Sequence, residues 1–324
     1  MSNMHLVDLS GELQQEAIRK GFGRGLVAAG KADENVVAAC ADLTSSTAMD
    51  AFAKEFPNRF IEIGVAEQNL VTTGSGLAAM GKIPFVSSYA AFSPGRNWEQ
   101  IRTTICLNDQ PVKIVGSHAG VSVGPDGATH QMLEDVALMR VLPNMVVIAP
   151  GDSVEAEKAT LAMAEDKRPN YLRLAREATP VLTTPQTPFE IGRAYVFAEG
   201  ADISLITTGT MTYHALVAAG ELHKDGIEAE VIHVPTIKPL DAETILKSVR
   251  KTGAVVTAEE GQVIGGLGGA IAELLGENCP APMKRIGMLD RFGESGAPNE
   301  LLEHFGLDAK HIRLAAHSVL DFRK

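Results

Sequence analysis

The sequence has little of three features that would each indicate a particular class of protein. Only three of its 324 residues are cysteines, and their wide separation gives neither a structural zinc motif nor a disulfide framework. No apolar run approaches the roughly 18 residues that a membrane-spanning helix needs. Acidic residues outnumber basic ones by 40 to 29, so the net charge of −11 argues against binding to nucleic acid or to anionic membranes. The first residues contain no apolar signal core, and we expect a cytoplasmic protein.

What is present is an ordinary globular composition in a chain too long for a single comfortable core, which suggests two α/β domains. Apolar runs rich in β-branched residues alternate with alanine-rich helical stretches, a pattern that favours mostly parallel sheets flanked by helices. The alternation breaks at EATPVLTTPQTPFE, residues 177–190, which is rich in proline and threonine. We therefore predict a domain at residues 1–176, a linker at 177–190 and a second domain at 191–324.

The same pattern predicts individual elements. Strands are expected at residues 36–40, 60–63, 83–88, 112–117, 145–149, 170–174, 203–209, 229–235 and 254–260. Helices are expected at residues 11–30, 66–80, 95–107, 131–140, 153–166, 211–224, 241–250 and 265–276. The glycines of KGFGRGLVAAG, residues 20–30, lie inside a helical pattern rather than after a strand, so they indicate close helix packing rather than a dinucleotide site.

One acid, Glu67, follows the apolar strand FIEI and a glycine, at the opening of an alanine-rich helix. Two interpretations fit this position. An exposed carboxylate is favoured near a helix N-terminus by the helix dipole. A buried carboxylic acid would instead have a raised pKa and could share a proton near neutral pH.

Two further segments carry candidate binding groups. Tyr89 and Phe92 follow a predicted buried strand in a chain with few aromatics, where they could stack on a flat heterocycle or simply fill the core. The loop GSHAGVSVGPDGATHQ holds His118, Asp126 and His130 after another strand. Loops at the carboxyl ends of parallel strands bind ligands, and these residue types can hydrogen-bond a polyol and relay protons. A solvated loop with turn-forming glycines is the alternative, and a zinc site is disfavoured because no close ligand pair occurs.

Three features of the sequence together resemble the transketolase family of thiamine-diphosphate enzymes. They are the segment IEIGVAEQNL, the aromatic pair and the segment SHAGVSVGPDGATHQ. The resemblance extends over nearly the whole chain, through ADLTSST, VPTIKPLD and TAEEGQVIGGLGG. It implies the α/β pyrimidine-binding domain of that family followed by its C-terminal domain. The implied activity is transfer of a two-carbon ketol unit from a ketose or ketose phosphate to an aldose.

The resemblance assigns residues to the cofactor. It implies that Glu67 hydrogen-bonds N1′ of the aminopyrimidine and thereby favours the imino tautomer. It implies that Tyr89 and Phe92 stack on the pyrimidine ring, and that Asp42 lies near the cofactor at a subunit interface. A further aromatic of the family has no clear match, because Gly and Arg stand nearby at residues 95–96.

The resemblance also assigns residues to the substrate, with two histidines as candidates for catalytic proton transfer. The residues implied to contact sugar hydroxyls or phosphate are His118, Asp126, His130, Arg176, Ser46 and Arg19. Two departures from the family pattern bear on substrate preference: Ala119 replaces a frequent aspartate, and Ala128 replaces a usual proline.

One family motif is missing from the sequence. Family members bind the diphosphate and Mg²⁺ through a GDG motif on a separate N-terminal domain, and no GDG occurs here. The resemblance therefore implies the C-terminal subunit of a split transketolase, with no metal ligands of its own. A partner subunit would supply the diphosphate and magnesium site, and we expect a two-fold α2β2 heterotetramer.

Four alternatives stay open at this point. The β subunit of a 2-oxo-acid dehydrogenase shares the fold and the glutamate, although the GPDGATH loop is not expected there. Deoxyxylulose-phosphate synthase resembles the Glu67 region but normally carries all three domains in one chain. A transketolase-like subunit for an unusual sugar, branched or sulfonated, is the third. The last alternative is a non-catalytic scaffold. It is disfavoured because the chain retains the glutamate, the histidines and the arginine together.

Overall fold

The computed structural model describes residues 4–9 and 11–322, in two α/β units joined by a short connecting segment. Both units contain a mostly parallel sheet flanked by helices, which confirms the predicted fold class. Within these residues, none of the helices has the length and apolar character needed to cross a membrane.

The strands form two main sheets. In chain order they are β1 (Gln15–Ala17), β2 (Val36–Cys40), β3 (Phe60–Glu62), β4 (Ile83–Tyr89), β5 (Lys113–Ser117), β6 (Val146–Ile148), β7 (Asn170–Arg173), β8 (Ala178–Pro180), β9 (Tyr195–Ala198), β10 (Ile203–Thr207), β11 (Ala229–His233), β12 (Thr236–Lys238), β13 (Val255–Gln262) and β14 (Met283–Met288). The first sheet has the order β12-β6-β7-β5-β4-β2-β3, and the second has the order β14-β13-β10-β11-β9. In these two sheets β12 and β9 run antiparallel to their neighbours, and the other pairs are parallel.

Helices cover both faces of the sheets. They are α1 (Ile18–Ala32), α2 (Asp50–Glu55), α3 (Glu67–Ala79), α4 (Trp98–Gln100), α5 (Asp135–Arg140), α6 (Ser153–Glu165), α7 (Met211–Lys224), α8 (Ala242–Thr252), α9 (Leu267–Asn278), α10 (Pro298–His304) and α11 (Ala309–Phe322). Helix α4 continues into a π-helix, Ile101–Cys106, and two short 3₁₀ helices span Pro57–Arg59 and Val121–Asp126. Every predicted strand and helix corresponds to an observed element.

Three predicted helices start too early. The helix predicted from residue 11 begins only at Ile18, because residues 15–17 form β1 and pair antiparallel with β8 inside the predicted linker. The helix predicted from residue 131 begins at Asp135, since Met132 instead bridges to Ala119 of the glycine-rich loop. The helix predicted at 95–107 is confined to residues 98–106.

The glycines of α1 pack as predicted. A Cβ atom on Gly21 would lie 1.7 Å from the Ser153 carbonyl oxygen at the start of α6, and one on Gly25 would lie 2.7 Å from Thr160 Cβ. Such distances are far inside van der Waals contact, so only glycine allows α1 and α6 to approach this closely. The interpretation of these glycines as positions of close helix packing is confirmed.

The two units are joined by shared structure as well as by the chain. Strand β12, from VPTIKPLD in the second half, pairs with β6 and so extends the sheet of the first unit. A buried ion pair at the interface joins Arg173 Nε to Asp135 Oδ2 at 3.0 Å, and Arg173 also donates to the Glu260 carbonyl of the second unit. The loop that follows β5 also contacts the second unit, since the Ser122 backbone N–H donates to Glu260 Oε1.

Candidate active site

Glu67 lies at the first position of α3 and is buried, with 2% of its side chain exposed. Gly64, at φ +77°, turns the chain between β3 and the helix. The Glu67 carboxylate accepts a hydrogen bond from Arg96 Nη1 at 2.8 Å on Oε2, and its backbone carbonyl accepts one from Asn97 Nδ2 at 2.8 Å. Glu67 is therefore a buried carboxylate at a helix N-terminus, not an exposed one.

The two candidate stacking aromatics lie side by side after β4. The ring centroids of Tyr89 and Phe92 are 6.1 Å apart, with the ring planes 18° from parallel. The Arg96 guanidinium lies over the Phe92 ring, 4.9 Å from its centroid. Glu67 is therefore connected to the aromatic pair through one arginine side chain.

The histidines of the glycine-rich loop complete this group. His118 follows β5 at φ +58° and stacks on Tyr89, with centroids 3.8 Å apart. His130 meets the edge of Phe92 at a centroid distance of 5.4 Å. Because β4 and β5 are parallel neighbours, their carboxyl ends place these side chains together. The structure thus unites five sequence-predicted residues in one contiguous site.

Two arginines give the histidine end of the site a positive character. Arg19 Nη1 donates to the Arg176 backbone carbonyl, and Arg176 Nη1 donates to the Val123 carbonyl at 2.6 Å. Burial lowers the pKa of His118 to about 3, and the nearby positive charges of Arg19, Arg176 and His130 act in the same direction. Its Nδ1 lies 2.9 Å from Ser117 Oγ. His118 is therefore a neutral imidazole at pH 7, beside a cationic patch in an acidic protein.

Three sequence-predicted residues lie outside this contact network. Asp126 is exposed at the end of the 3₁₀ helix, and Asp42 is exposed at φ +59°, with its backbone N–H donating to Glu62 Oε1 at 2.7 Å. Ser46 is half-buried in the turn after β2. Within the described part of the chain, no hydrogen bond, ion pair or ring contact links any of the three to the Glu67 and histidine group.

The structure adds functional candidates that sequence reasoning missed. Arg96 and Asn97 reach Glu67, although the sequence marks Arg96 only as a position lacking an aromatic. Gln131 is buried and donates from Nε2 to the carbonyls of Val121 at 3.0 Å and Glu294 at 2.9 Å, which ties the histidine loop to the second unit. No local pattern identifies such residues, because their partners are distant in sequence.

The donor set fits one part of the implied cofactor. A buried carboxylate beside two near-parallel aromatic rings suits a flat heterocycle with a protonatable edge nitrogen. The Oε1 atom of Glu67 accepts no hydrogen bond from residues 4–9 or 11–322. Those same residues contain no cluster of three or more His, Cys, Asp or Glu side chains able to hold a metal ion.

Comparison with known proteins agrees with this architecture. Residues 14–181 match the transketolase pyrimidine binding domain, and residues 192–312 match the transketolase C-terminal domain. The chain belongs to the transketolase family, whose members depend on thiamine diphosphate.

Individual relatives cover almost the whole chain. A 6-deoxy-6-sulfo-D-fructose transketolase subunit of Clostridium sp. (strain MSTE9) is 42% identical over 96% of this chain and 96% of its own length. An apulose-4-phosphate transketolase subunit of Phocaeicola vulgatus is 37% identical over 91% of this chain and 95% of its own length. Among solved structures, a split gene transketolase described as an inactive beta4 tetramer superposes with a TM-score of 0.89 and 45% identity, covering 95% of this chain and 99% of that one. The chain thus carries the pyrimidine binding domain and the C-terminal domain of the transketolase family.

Proposed function

We propose that this chain is the pyrimidine-binding subunit of a split, thiamine-diphosphate-dependent transketolase that transfers a two-carbon ketol unit from a ketose phosphate to an aldose. The observation that carries the proposal is the contiguous group of Glu67, Tyr89, Phe92, His118 and His130, with a buried acid at one end and neutral and cationic groups at the other. When bound, thiamine diphosphate supplies the carbanion-stabilising chemistry of ketol transfer.

The residues at the acid end serve the cofactor. Glu67 shares a proton with N1′ of the aminopyrimidine, since burial removes water as a competing proton acceptor. Tyr89 and Phe92 orient the pyrimidine ring by stacking. Asp42 lies on the exposed turn after β2, where a second subunit can approach it.

The residues at the other end serve the sugar. A neutral His118 can accept a hydrogen bond from a substrate hydroxyl at Nε2, because its Nδ1 faces Ser117 Oγ. His130 and Asp126 contact sugar hydroxyls, and Arg176, Arg19 and Ser46 bind the terminal phosphate. Arginine suits this role because its guanidinium binds phosphate oxygens in a bidentate manner.

Partner dependence is part of the proposal. Transketolase relatives that are themselves subunits support it, and an N-terminal subunit would bind the diphosphate and Mg²⁺. The two subunits would form an α2β2 heterotetramer in the cytoplasm, and a split transketolase relative that is tetrameric and inactive is consistent with this need. The domain boundaries at 1–176, 177–190 and 191–324 belong to the same proposal, with β8 inside the connecting segment.

The sugar itself has a second candidate class. Two relatives that this chain covers over nearly their full length are named for particular sugars, 6-deoxy-6-sulfo-D-fructose and apulose-4-phosphate. A sulfonate and a phosphate are both terminal oxyanions, and the Arg19 and Arg176 pair could bind either. An unusual sugar is therefore the alternative substrate for the same chemistry.

The test is reconstitution with the N-terminal subunit, thiamine diphosphate and Mg²⁺. Ketol transfer is measured with ketose phosphates and, separately, with 6-deoxy-6-sulfo-D-fructose. The Glu67→Gln variant should lose about 10²- to 10⁴-fold in rate, because glutamine cannot share the proton. Glu99→Gln, an exposed acid on α4, is the matched control and should keep the wild-type rate. Absence of transfer from every donor, or full activity in Glu67→Gln, would refute the proposal.

A further inference from the structure

The Arg96 side chain makes both contacts that the proposed pyrimidine ring would make. Its Nη1 donates to Glu67 Oε2 at 2.8 Å, and its guanidinium carbon lies 4.9 Å from the centroid of the Phe92 ring. A guanidinium is flat, delocalised and rich in donors, and it stacks on aromatic faces. It therefore resembles an aminopyrimidine edge in shape and in hydrogen bonding.

Arg96 is held weakly enough to leave this place. Its side chain is 51% exposed, and within the described residues that side chain makes no hydrogen bond other than the one to Glu67. Arg59 shows the contrast, because its guanidinium donates to three backbone carbonyls and lies 3.8 Å from the Phe56 ring centroid. Arg59 is fixed by its surroundings, whereas Arg96 can move into solvent by losing its ion pair with Glu67 and its contact with the Phe92 ring.

The loop that carries Arg96 is fixed even though the side chain is not. Asn97 is buried and donates from Nδ2 to the Glu67 carbonyl at 2.8 Å and to Ser93 Oγ at 3.1 Å. The Arg96 Cα therefore stays beside Glu67 when its guanidinium moves. The side chain can return to the carboxylate whenever the pocket is free.

We propose that Arg96 is an internal competitor for the pyrimidine pocket, engaging Glu67 and covering Phe92 until the cofactor displaces it. The inference rests on the proposed function, because it requires Glu67 and Phe92 to bind the aminopyrimidine. It implies that the affinity of the subunit for thiamine diphosphate is lowered by the free energy needed to break the Arg96–Glu67 pair. The pocket would then be open only in a complex that binds the rest of the cofactor tightly.

The experiment measures cofactor binding rather than turnover. The reconstituted complex is titrated with thiamine diphosphate and Mg²⁺ by calorimetry, and the fluorescence of Trp98, the single tryptophan of this chain, reports the change beside Arg96. Arg96→Ala should bind about tenfold more tightly than wild type, because one charge-assisted hydrogen bond no longer has to be broken. Arg102→Ala removes an exposed arginine from the neighbouring π-helix and should leave affinity unchanged.

The outcomes separate this inference from the proposed function. If the wild-type complex binds the cofactor and Arg96→Ala binds it equally or more weakly, Arg96 is not a competitor. The proposed function would be unaffected by that result. Failure of the wild-type complex to bind the cofactor overturns both. A double-mutant cycle of Arg96→Ala and Glu67→Gln on the isolated chain tests the pair without cofactor: urea unfolding should show coupling between the two sites, and additive effects would exclude the pair in solution.

Discussion

At the scale of single residues, the site depends on keeping one imidazole neutral beside positive charges. His118 is buried against Tyr89, and Arg19, Arg176 and His130 all add positive potential around it. Burial and these charges act in the same direction, since both disfavour the imidazolium. A neutral imidazole can accept or donate a hydrogen bond without carrying charge, so the arrangement suits a hydrogen-bonding group rather than a fixed cation.

We expect His118 to remain neutral at every pH at which the protein is folded. In NMR spectra of imidazole-labelled chain, its ring nitrogens should show no titration between pH 5 and 8, consistent with a pKa lowered to about 3. Arg176→Met should raise the pKa of His118 only partly toward that of a free imidazole. Burial is the larger cause of the lowered pKa, and the substitution leaves the ring buried. Arg176→Lys keeps the charge and should leave the pKa low. Protonation of wild-type His118 near pH 6.5 would contradict this account.

At the scale of elements, the loop that carries both histidines is held by the second unit. Gln131 Nε2 binds the Val121 and Glu294 carbonyls, and Glu260 Oε1 accepts a hydrogen bond from the Ser122 backbone N–H at 2.7 Å. Gly120, at φ +93°, lies so close to Glu260 that a Cβ would come within 2.2 Å of Oε1. The second unit therefore holds the histidine loop in position.

Replacing Gln131 by leucine should loosen that loop with little effect on the cofactor. We expect the KM for the sugar to rise about tenfold when these hydrogen bonds are lost. Part of the binding free energy would then be used to order the loop. Limited proteolysis should cut near residues 124–129 faster than in wild type. Gln186→Leu, in the exposed connecting segment, is the matched control. An unchanged KM together with unchanged proteolysis would show that Gln131 does not hold the loop.

Most of the strands and helices could be predicted from the sequence. The elements that could not be predicted depend on segments that are distant in the sequence. Strands such as β2 and β5 are short β-branched runs between turns, so local pattern suffices. Strands β1 and β12 have three residues each and exist only because distant segments pair with them. The position of Glu67 at a strand-to-helix turn is likewise local, whereas the Arg96 contact depends on a side-chain conformation that no spacing encodes.

At the scale of the whole molecule, the two units pack against each other, and polar groups are buried at and near their interface. Asp135 is fully buried and accepts hydrogen bonds from Arg173 Nε at 3.0 Å and from Tyr171 Oη at 2.7 Å. Across the joint, His233 Nε2 lies 2.7 Å from the buried Glu155 Oε2. Because β12 pairs with β6, separating the units would break that pairing, the His233–Glu155 contact and the Arg173 hydrogen bond to the Glu260 carbonyl.

We therefore expect the chain to unfold in a single cooperative transition. We also expect its free energy of unfolding to depend on the charge of Asp135 near the interface between the units. Asp135→Asn removes the carboxylate that is paired with the buried Arg173 guanidinium, which should lower the free energy of unfolding by about 3–5 kcal/mol. Urea denaturation followed by far-ultraviolet circular dichroism and by Trp98 fluorescence measures both points. Asp225→Asn, which breaks an exposed pair with Arg313, is the control and should change stability far less.

The two probes make the test decisive because they report on different regions. Trp98 lies in the first unit, whereas circular dichroism reports the helices of both. If the units were independent, the two curves would separate, and Asp135→Asn would shift only the transition seen by Trp98. Coincident curves that move together would instead show that the second unit is stabilised by the first. Its hold on the histidine loop would then persist for as long as the subunit remains folded.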